Sequence, residues 1–173
     1  MAATAVPFVS SMQPSARTQA AGAPVEVDIS KLKPGELMVV EWRRKPVWIL
    51  RRTQDELDRL AEVPADDLRD PESVESEQPP YARNAVRAIK PEYLVLVGVC
   101  THLGCSPKYR PEIGAPDLGA DWLGGFQCPC HGGRYDLAGR AYKGYPPPLN
   151  MAVPPYRYLT DTKIRIGEDP EAA

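Results

Sequence analysis

The stretches CTHLGC, residues 100–105, and CPCHGG, residues 128–133, decide how this chain is interpreted. Together they contain all four cysteines and both histidines of the 173-residue sequence. The residues with soft-metal and redox chemistry are therefore confined to two short segments, whereas a purely structural role would scatter them through a core. The sequence predicts two loops that face each other, held by a scaffold that the rest of the chain forms.

Four kinds of site could use these six residues. A structural zinc site takes four ligands, but the histidine spacing here is not the usual one. Plain disulfides would leave both histidines without a role, and a redox-active dithiol would require Cys-x-x-Cys, which is absent. A 2Fe–2S cluster of mixed ligation takes two cysteines on one iron and two histidines on the other. That interpretation fits best, with one Cys/His pair from each loop: Cys100 with His102, and Cys128 with His131.

The scaffold has the sequence pattern of a β-rich protein. The length fits one domain, and a net charge of -2 without a basic patch argues against nucleic-acid binding. Alternating or continuous apolar runs predict strands at 25–29, 37–42, 47–50, 93–99, 156–159 and 163–166. A capping box at Thr53 predicts one helix over 54–62. The sequence predicts a basic hairpin turn over 43–46, an ordered surface excursion over 64–91, and a loop over 106–127.

The two stretches resemble the paired boxes of the Rieske iron–sulfur protein of cytochrome bc complexes, the quinol–cytochrome c oxidoreductases of respiratory membranes. The resemblance is to the bacterial form and extends over nearly the whole chain from about residue 12. It includes residues outside the boxes: 25–53, the strand into Cys100, Tyr135-Asp136, Gly139-Arg140, Lys143-Gly144, Pro148-Leu149-Asn150 and Val153-Pro154-Pro155.

This resemblance implies an all-β Rieske fold. Its base is an antiparallel β-sandwich with one short helix, and a rubredoxin-like cluster-binding subdomain is inserted at about 100–150. The Rieske domain would cover residues 25–173, and the small, polar residues 13–24 would form a flexible hinge. Residues 1–12 are apolar, lack the basic leader of a signal peptide, and are about half the length of a membrane span. We interpret them as the end of a truncated membrane helix.

The resemblance also assigns the six residues of the two loops. It implies one Rieske-type 2Fe–2S cluster, with Cys100 and Cys128 on the buried iron and His102 and His131 on the outer iron. The remaining cysteines, Cys105 and Cys130, would form a disulfide that joins the loops. His131 would contact the quinol, and Leu103 would belong to the quinone docking surface.

The implied function is electron transfer. The cluster would accept one electron and one proton from quinol and pass the electron to a c-type cytochrome, while the second electron goes to cytochrome b. The chain would thus be a subunit of an enzyme, membrane-anchored in the full-length protein. It would lie at the bacterial inner membrane with its soluble domain on the periplasmic side. Two alternatives stay open: a stand-alone soluble Rieske carrier and, from another class, a structural zinc-binding module.

Three features would adjust the cluster environment. Tyr135 would donate to a ligand cysteine, and a cluster-covering loop would contain Gly144 and Pro146, Pro147 and Pro148, where the family usually has Gly-Pro-Ala-Pro. Gly133 departs from the family, which usually has a serine that hydrogen-bonds a bridging sulfide. A hydrogen bond to a charged acceptor contributes about 1.5–3 kcal/mol, or roughly 60–130 mV for one electron. We therefore predict a lower potential than in serine-containing relatives, and a higher one in Gly133→Ser.

Overall fold

The computed structural model describes residues 22–170 and the single position 6. Within residues 25–170 it contains one α-helix, α1 (Gln54–Glu62), and two 3-10 turns, Ala65–Asp67 and Pro80–Ala82. The nine strands of that range are β1 (Val25–Asp28), β2 (Leu37–Trp42), β3 (Lys45–Arg51), β4 (Tyr93–Val97), β5 (Lys108–Arg110), β6 (Gly125–Cys128), β7 (Gly133–Tyr135), β8 (Tyr156–Thr160) and β9 (Lys163–Ile166).

The predicted membrane-helix end at 1–12 lies outside the described residues apart from position 6. The predicted hinge at 13–24 lies outside them except for its last three residues. Among the residues that the structure describes, no helix has both the length and the apolar character needed to cross a bilayer.

In the part of the chain that the structure describes, all strand pairs are antiparallel and form three sheets of three strands. Their orders are β1-β9-β8, β2-β3-β4 and β5-β6-β7. The first two sheets contain all six strands that the hydrophobic pattern predicts. The third sheet carries the second cysteine box. The predicted all-β fold class is therefore confirmed.

One hydrophobic core joins the three sheets. Val27 of the first sheet, Ile49 of the second and Phe126 of the third belong to the same cluster of buried side chains. The Trp48 ring packs on the Phe126 ring with 5.4 Å between centroids. The sheet that carries the cysteine box is thus seated on the base through apolar contacts, which favour folding in proportion to the area buried.

Helix α1 has the predicted limits, 54–62, and begins at the predicted capping box. The Thr53 hydroxyl accepts from the Glu56 main-chain N–H at 3.2 Å, and the Glu56 carboxylate accepts from the Thr53 N–H at 2.8 Å. From the last turn, Arg59 donates to the carbonyls of Pro111 and Leu123, at 2.9 and 2.5 Å. The helix therefore braces the segment that separates the two boxes.

The prediction of a loop over 106–127 is wrong in part. Lys108–Arg110 forms β5, and β6 begins at Gly125, inside the predicted loop. The register places Tyr109 opposite Phe126 and Arg110 opposite Gly125. A three-residue strand has too little sequence to show an alternating pattern, so only its partner strand reveals it.

The prediction of a surface excursion over 64–91 is also incomplete, because several of its polar residues are buried. The Asp70 carboxylate, 6% exposed, accepts from the main-chain N–H groups of Val74, Glu75 and Ser76 and from the Ser76 hydroxyl. Arg87 is fully buried and donates to the Ala138 carbonyl at 3.2 Å. Hydrogen bonds satisfy these groups, which makes their burial tolerable.

The basic hairpin turn is shorter than the predicted 43–46. Only Arg43 and Arg44 form it, with φ of 51° and 59°. Two residues of positive φ match the right-handed twist of a hairpin. Lys45 and Pro46 belong to β3 instead, where they pair with Trp42 and Glu41.

Candidate metal centre

The first cysteine box begins three residues after the buried strand β4. Cys100 is 3% exposed, and its main-chain N–H donates to the Cys105 carbonyl at 2.7 Å, which closes the box into a loop. Gly104 has φ of 83°, a left-handed conformation that glycine adopts without steric cost. Leu103, at the outer edge of this loop, is 71% exposed.

The second box forms the connection of a hairpin. Cys128 ends β6 and Gly133 begins β7, and these two residues are partners in the ladder. Cys128 is 2% exposed, whereas Cys130 and His131 in the connection are exposed. Gly132 completes the reversal with φ of 69°. Strand ends therefore place each buried cysteine below a loop that carries a histidine.

The two loops meet, as the sequence predicts. The His102 and His131 rings lie 4.9 Å apart between centroids, at 86° to one another. A disulfide joins Cys105 to Cys130 with 6.6 Å between their α-carbons, the pairing that the resemblance implies. Cys100 and Cys128 are the free thiols, and both are buried. The structure thus brings all six predicted residues into one site.

The two free thiols are near enough to affect each other's protonation, which bears on what the site can bind. Burial raises the pKa of the Cys128 thiol, and its hydrogen bond with Cys100 adds to that rise. The main-chain N–H groups at Cys130 and His131 act in the opposite direction and lower the pKa of this thiol. Two adjacent buried thiolates repel each other unless a positive group lies between them. The pair therefore fits a metal group that needs both thiolates.

The two disulfide sulfurs lie close to Cys128 but differ chemically from the free thiols. The Cys128 sulfur lies within 4.8 Å of the sulfurs of Cys105 and Cys130. Those two are joined in the disulfide and carry no thiolate, so they are not metal ligands while bridged. The available soft donors are two thiols and two imidazoles, the set that a 2Fe–2S cluster of mixed ligation requires. The residues present therefore fit the group.

Tyr135 supports the buried side of the site. It is fully buried, and its hydroxyl donates to Cys100 Sγ at 3.2 Å. The same oxygen accepts from the Thr101 main-chain N–H at 3.0 Å. Burial raises the pKa of Tyr135, so the hydroxyl keeps its proton and remains a donor. The residue pattern did not predict a role for Thr101, although it is adjacent to the predicted ligand Cys100. The Thr101 hydroxyl donates to the Leu149 carbonyl at 2.6 Å.

The proline loop packs against the second box. Pro147 is buried, while Gly144, Pro146 and Pro148 are exposed. A β-carbon built on Gly133 would lie 2.7 Å from Pro147 Cγ. Real β-carbons essentially never approach a neighbour so closely, so Gly133→Ser adds a clash as well as a hydroxyl. The prediction of a higher potential for Gly133→Ser did not include this clash.

A buried polar network, also missed by sequence analysis, fixes the far end of this loop. Asn150, 1% exposed, donates to the Asp70 carbonyl at 2.8 Å and to the Ser73 hydroxyl at 3.0 Å. Its side-chain oxygen accepts from the Ala141 N–H at 2.8 Å. Asn150 belongs to the stretch Pro148-Leu149-Asn150, which resembles the family in sequence. No sequence pattern indicated Asp70 or Ser73, because their hydrogen-bond partner Asn150 lies far along the chain.

The fold and the donor set define a class: an electron-transfer domain that binds iron and sulfide through two cysteines and two histidines. The family model described as "Rieske [2Fe-2S] domain" matches residues 24–156. The chain therefore belongs to the Rieske family, and its cofactor is one Rieske-type 2Fe–2S cluster. This membership decides against the structural zinc-binding module.

Relatives extend this match over nearly the whole chain. The ubiquinol–cytochrome c reductase iron–sulfur subunit of Allochromatium vinosum is 59% identical over 166 residues, which covers 95% of this chain and 79% of that protein. The subunit of the same name from Bradyrhizobium diazoefficiens is 43% identical, covering 96% and 84%. A solved chain of a "Hyperthermophilic respiratory Complex III" is 27% identical and covers 94% of each chain, with a TM-score of 0.52.

Proposed function

We propose that this chain is the iron–sulfur subunit of a membrane-bound quinol–cytochrome c oxidoreductase and that it transfers electrons between quinol and a c-type cytochrome. One observation carries the proposal: two buried thiols and two facing imidazoles lie in paired loops that a disulfide joins. The names of the similar proteins, iron–sulfur subunits of ubiquinol–cytochrome c reductase, support the same assignment.

Cys100 and Cys128 hold one iron in this proposal, and His102 and His131 hold the other. Burial supports the division, because both thiols are less than 5% exposed while His131 lies at the surface. When bound, a cluster of this type accepts and returns one electron at a higher potential than an all-cysteine cluster. Tyr135 holds the Cys100 sulfur in place, and the disulfide holds the two histidine loops at a fixed separation.

His131 and Leu103 form the contact for quinol. A quinol presents an apolar ring with hydroxyl groups, which suits one apolar and one proton-accepting partner. Leu103 is 71% exposed. Burial of its apolar surface against the quinol ring is favourable by about 25 cal/mol per Å². With one ring nitrogen of His131 on iron, the other nitrogen would accept the hydroxyl proton only when it has itself lost its proton, and the cluster would take up the electron.

The partners are cytochrome b, which completes the quinol site, and a c-type cytochrome, which receives the electron. We infer further that the soluble domain lies on the periplasmic side of a bacterial inner membrane and that the full-length protein is anchored in that membrane. The Cys105–Cys130 disulfide supports this location, since disulfides persist in the oxidising periplasm and are rare in the cytosol. The isolated domain is an electron carrier only.

The test compares Leu103→Ala with Ile113→Ala in the full-length protein assembled in membranes. Ile113 is the matched control because it is also an exposed aliphatic residue, at 59%, and lies outside the two boxes. Both variants should retain the Rieske-type EPR signal of the reduced cluster. Leu103→Ala should raise the quinol KM of cytochrome c reduction by up to roughly tenfold, from lost apolar contact, and Ile113→Ala should leave it unchanged.

The same preparation tests the assignment as a whole. A red-brown protein with the EPR signal that supports no quinol-dependent cytochrome c reduction in its complex would point to the stand-alone carrier. Equal KM values for the two variants would remove Leu103 from the docking surface.

A further inference from the structure

Gly133 is a glycine for a reason that lies outside its own backbone. Its φ is not in the left-handed region, unlike that of its neighbour Gly132. Any residue could therefore adopt the backbone conformation of this position. The restriction comes from a neighbouring side chain, because a β-carbon at Gly133 would lie 2.7 and 3.0 Å from Cγ and Cδ of Pro147.

The contact is placed directly against the proposed ligand Cys128. Gly133 and Cys128 are partners across the β6–β7 ladder, and a β-carbon on Gly133 would lie 3.4 Å from the Cys128 β-carbon. Pro147 is buried there, between the exposed Pro146 and Pro148. The ring of Pro147 thus occupies the space beside the strand end that a side chain at 133 would otherwise fill.

We infer that Pro147 and Gly133 form a matched steric pair, in which the proline ring locks the 144–148 loop onto the ligand hairpin and excludes any side chain from position 133. Pro147 is therefore a positioning residue for Cys128. A hydroxyl at 133 can reach the cluster only when the ring at 147 is removed. The steric part depends on packing alone, whereas the effect on the cluster rests on the ligand set proposed above.

The first experiment is a double-mutant cycle on the unfolding of the cluster-loaded protein. Gly133→Ala should overpack the contact and shift the unfolding equilibrium roughly tenfold or more toward the unfolded state. Pro147→Ala should also destabilise, because it leaves a cavity. The double variant should be more stable than the sum of the two losses predicts, by at least tenfold in the equilibrium constant, or about 1.4 kcal/mol.

Pro148→Ala provides the matched control, since it removes a proline ring from the same loop at an exposed position. Combined with Gly133→Ala, it should give no rescue. Additive losses in the Pro147 cycle, or equal rescue by Pro148→Ala, would overturn the pairing. This measurement reports the packing of residues 133 and 147 and requires no quinol oxidation, so its outcome is independent of the proposed function.

The second experiment measures the midpoint potential of the loaded protein by film voltammetry. Gly133→Ser alone should load less iron per protein than wild type. Gly133→Ser with Pro147→Ala should recover loading and have a higher midpoint than Gly133→Ala with Pro147→Ala, which has the volume without the hydroxyl. If Gly133→Ser alone loads fully and already has the raised midpoint, Pro147 does not exclude the hydroxyl. If Gly133→Ser alone fails to fold, the comparison of the two double variants still tests the proposal. Equal midpoint potentials in these two variants would show that a hydroxyl at position 133 does not affect the cluster.

Discussion

Replacing Tyr135 by phenylalanine removes one oxygen atom that serves two neighbours. That oxygen donates to Cys100 Sγ at 3.2 Å and accepts from the Thr101 N–H at 3.0 Å. The ring is fully buried and its volume hardly changes, so the packing around it should be preserved. We therefore expect two separable losses, one in the midpoint potential of the cluster and one in the stability of the fold.

The donated bond determines the expected change in potential. A hydrogen bond to a charged group contributes about 1.5–3 kcal/mol. The Cys100 sulfur carries more negative charge when the cluster is reduced, so the bond favours the reduced state. The lower limit of about 1.5 kcal/mol corresponds to about 65 mV for a one-electron couple. The bond also exists in the oxidised state, and only its strengthening on reduction changes the potential. The midpoint of Tyr135→Phe should therefore lie below that of the wild type by up to about 65 mV.

The accepted bond determines the loss of stability, and Tyr156→Phe is its matched control. Loss of the hydroxyl leaves the Thr101 N–H without this acceptor, at a cost of about 1–3 kcal/mol. Tyr156 is equally buried, and its hydroxyl accepts from the Ile89 N–H at 2.8 Å, away from the cysteines. Urea unfolding should show similar losses for both variants, and film voltammetry should show a shift for Tyr135→Phe alone. An unchanged or raised midpoint in Tyr135→Phe, or an equal shift in Tyr156→Phe, would refute the reasoning.

Three further results are expected. Replacing Cys105 and Cys130 together by alanine should cost about 3.5 kcal/mol in urea unfolding, from the closure entropy of a loop with a sequence separation of 25; a loss below 1 kcal/mol would count against it. Asn150→Ala should destabilise by about 3 kcal/mol, because three buried hydrogen bonds are lost, whereas the more exposed Asn84→Ala should cost less than half as much. Burial raises the pKa of Asp70, but the hydrogen bonds from Ser76 and the neighbouring main chain outweigh it and lower that pKa below 3.8. The stability from Asp70 is thus present above its unfolded pKa and lost as pH falls through the folded value, so acid unfolding of Asp70→Asn should be less steep below pH 4; an equally steep acid limb would contradict this.

Local patterns account for what the sequence predicted well. The Thr53 capping box predicted the start of α1 because that hydrogen-bonded motif lies within a few residues, and Pro64 predicted its end. The continuous apolar run after Glu92 gave a buried strand, although β4 ends at Val97 rather than at residue 99. The sequence also predicted that the two boxes face each other, because their cysteines and histidines carry the soft-metal and redox chemistry of the chain.

The failures share one physical cause, which is dependence on distant partners. Strand β5 forms because it pairs with β6 in an antiparallel ladder. Asp70 is buried because its main chain and its neighbours meet Asn150, 80 residues away. The effect of Gly133 on the cluster cannot be deduced without Pro147, since the sequence alone does not place that ring. Local patterns do not encode such contacts.

Because the Cys128 sulfur lies close to the disulfide, the order of cluster insertion and disulfide formation affects which cysteines pair. A thiolate within 4.8 Å of a disulfide can attack one of its sulfurs and release the other as a thiolate. Coordination to iron ties up the Cys128 sulfur, so insertion of the cluster before oxidation protects the correct pairing. We expect removal of iron by a chelator at alkaline pH to produce cross-links of Cys128 to Cys105 or Cys130 in non-reducing peptide maps. Persistence of the original bridge alone would show that the two reactions are independent.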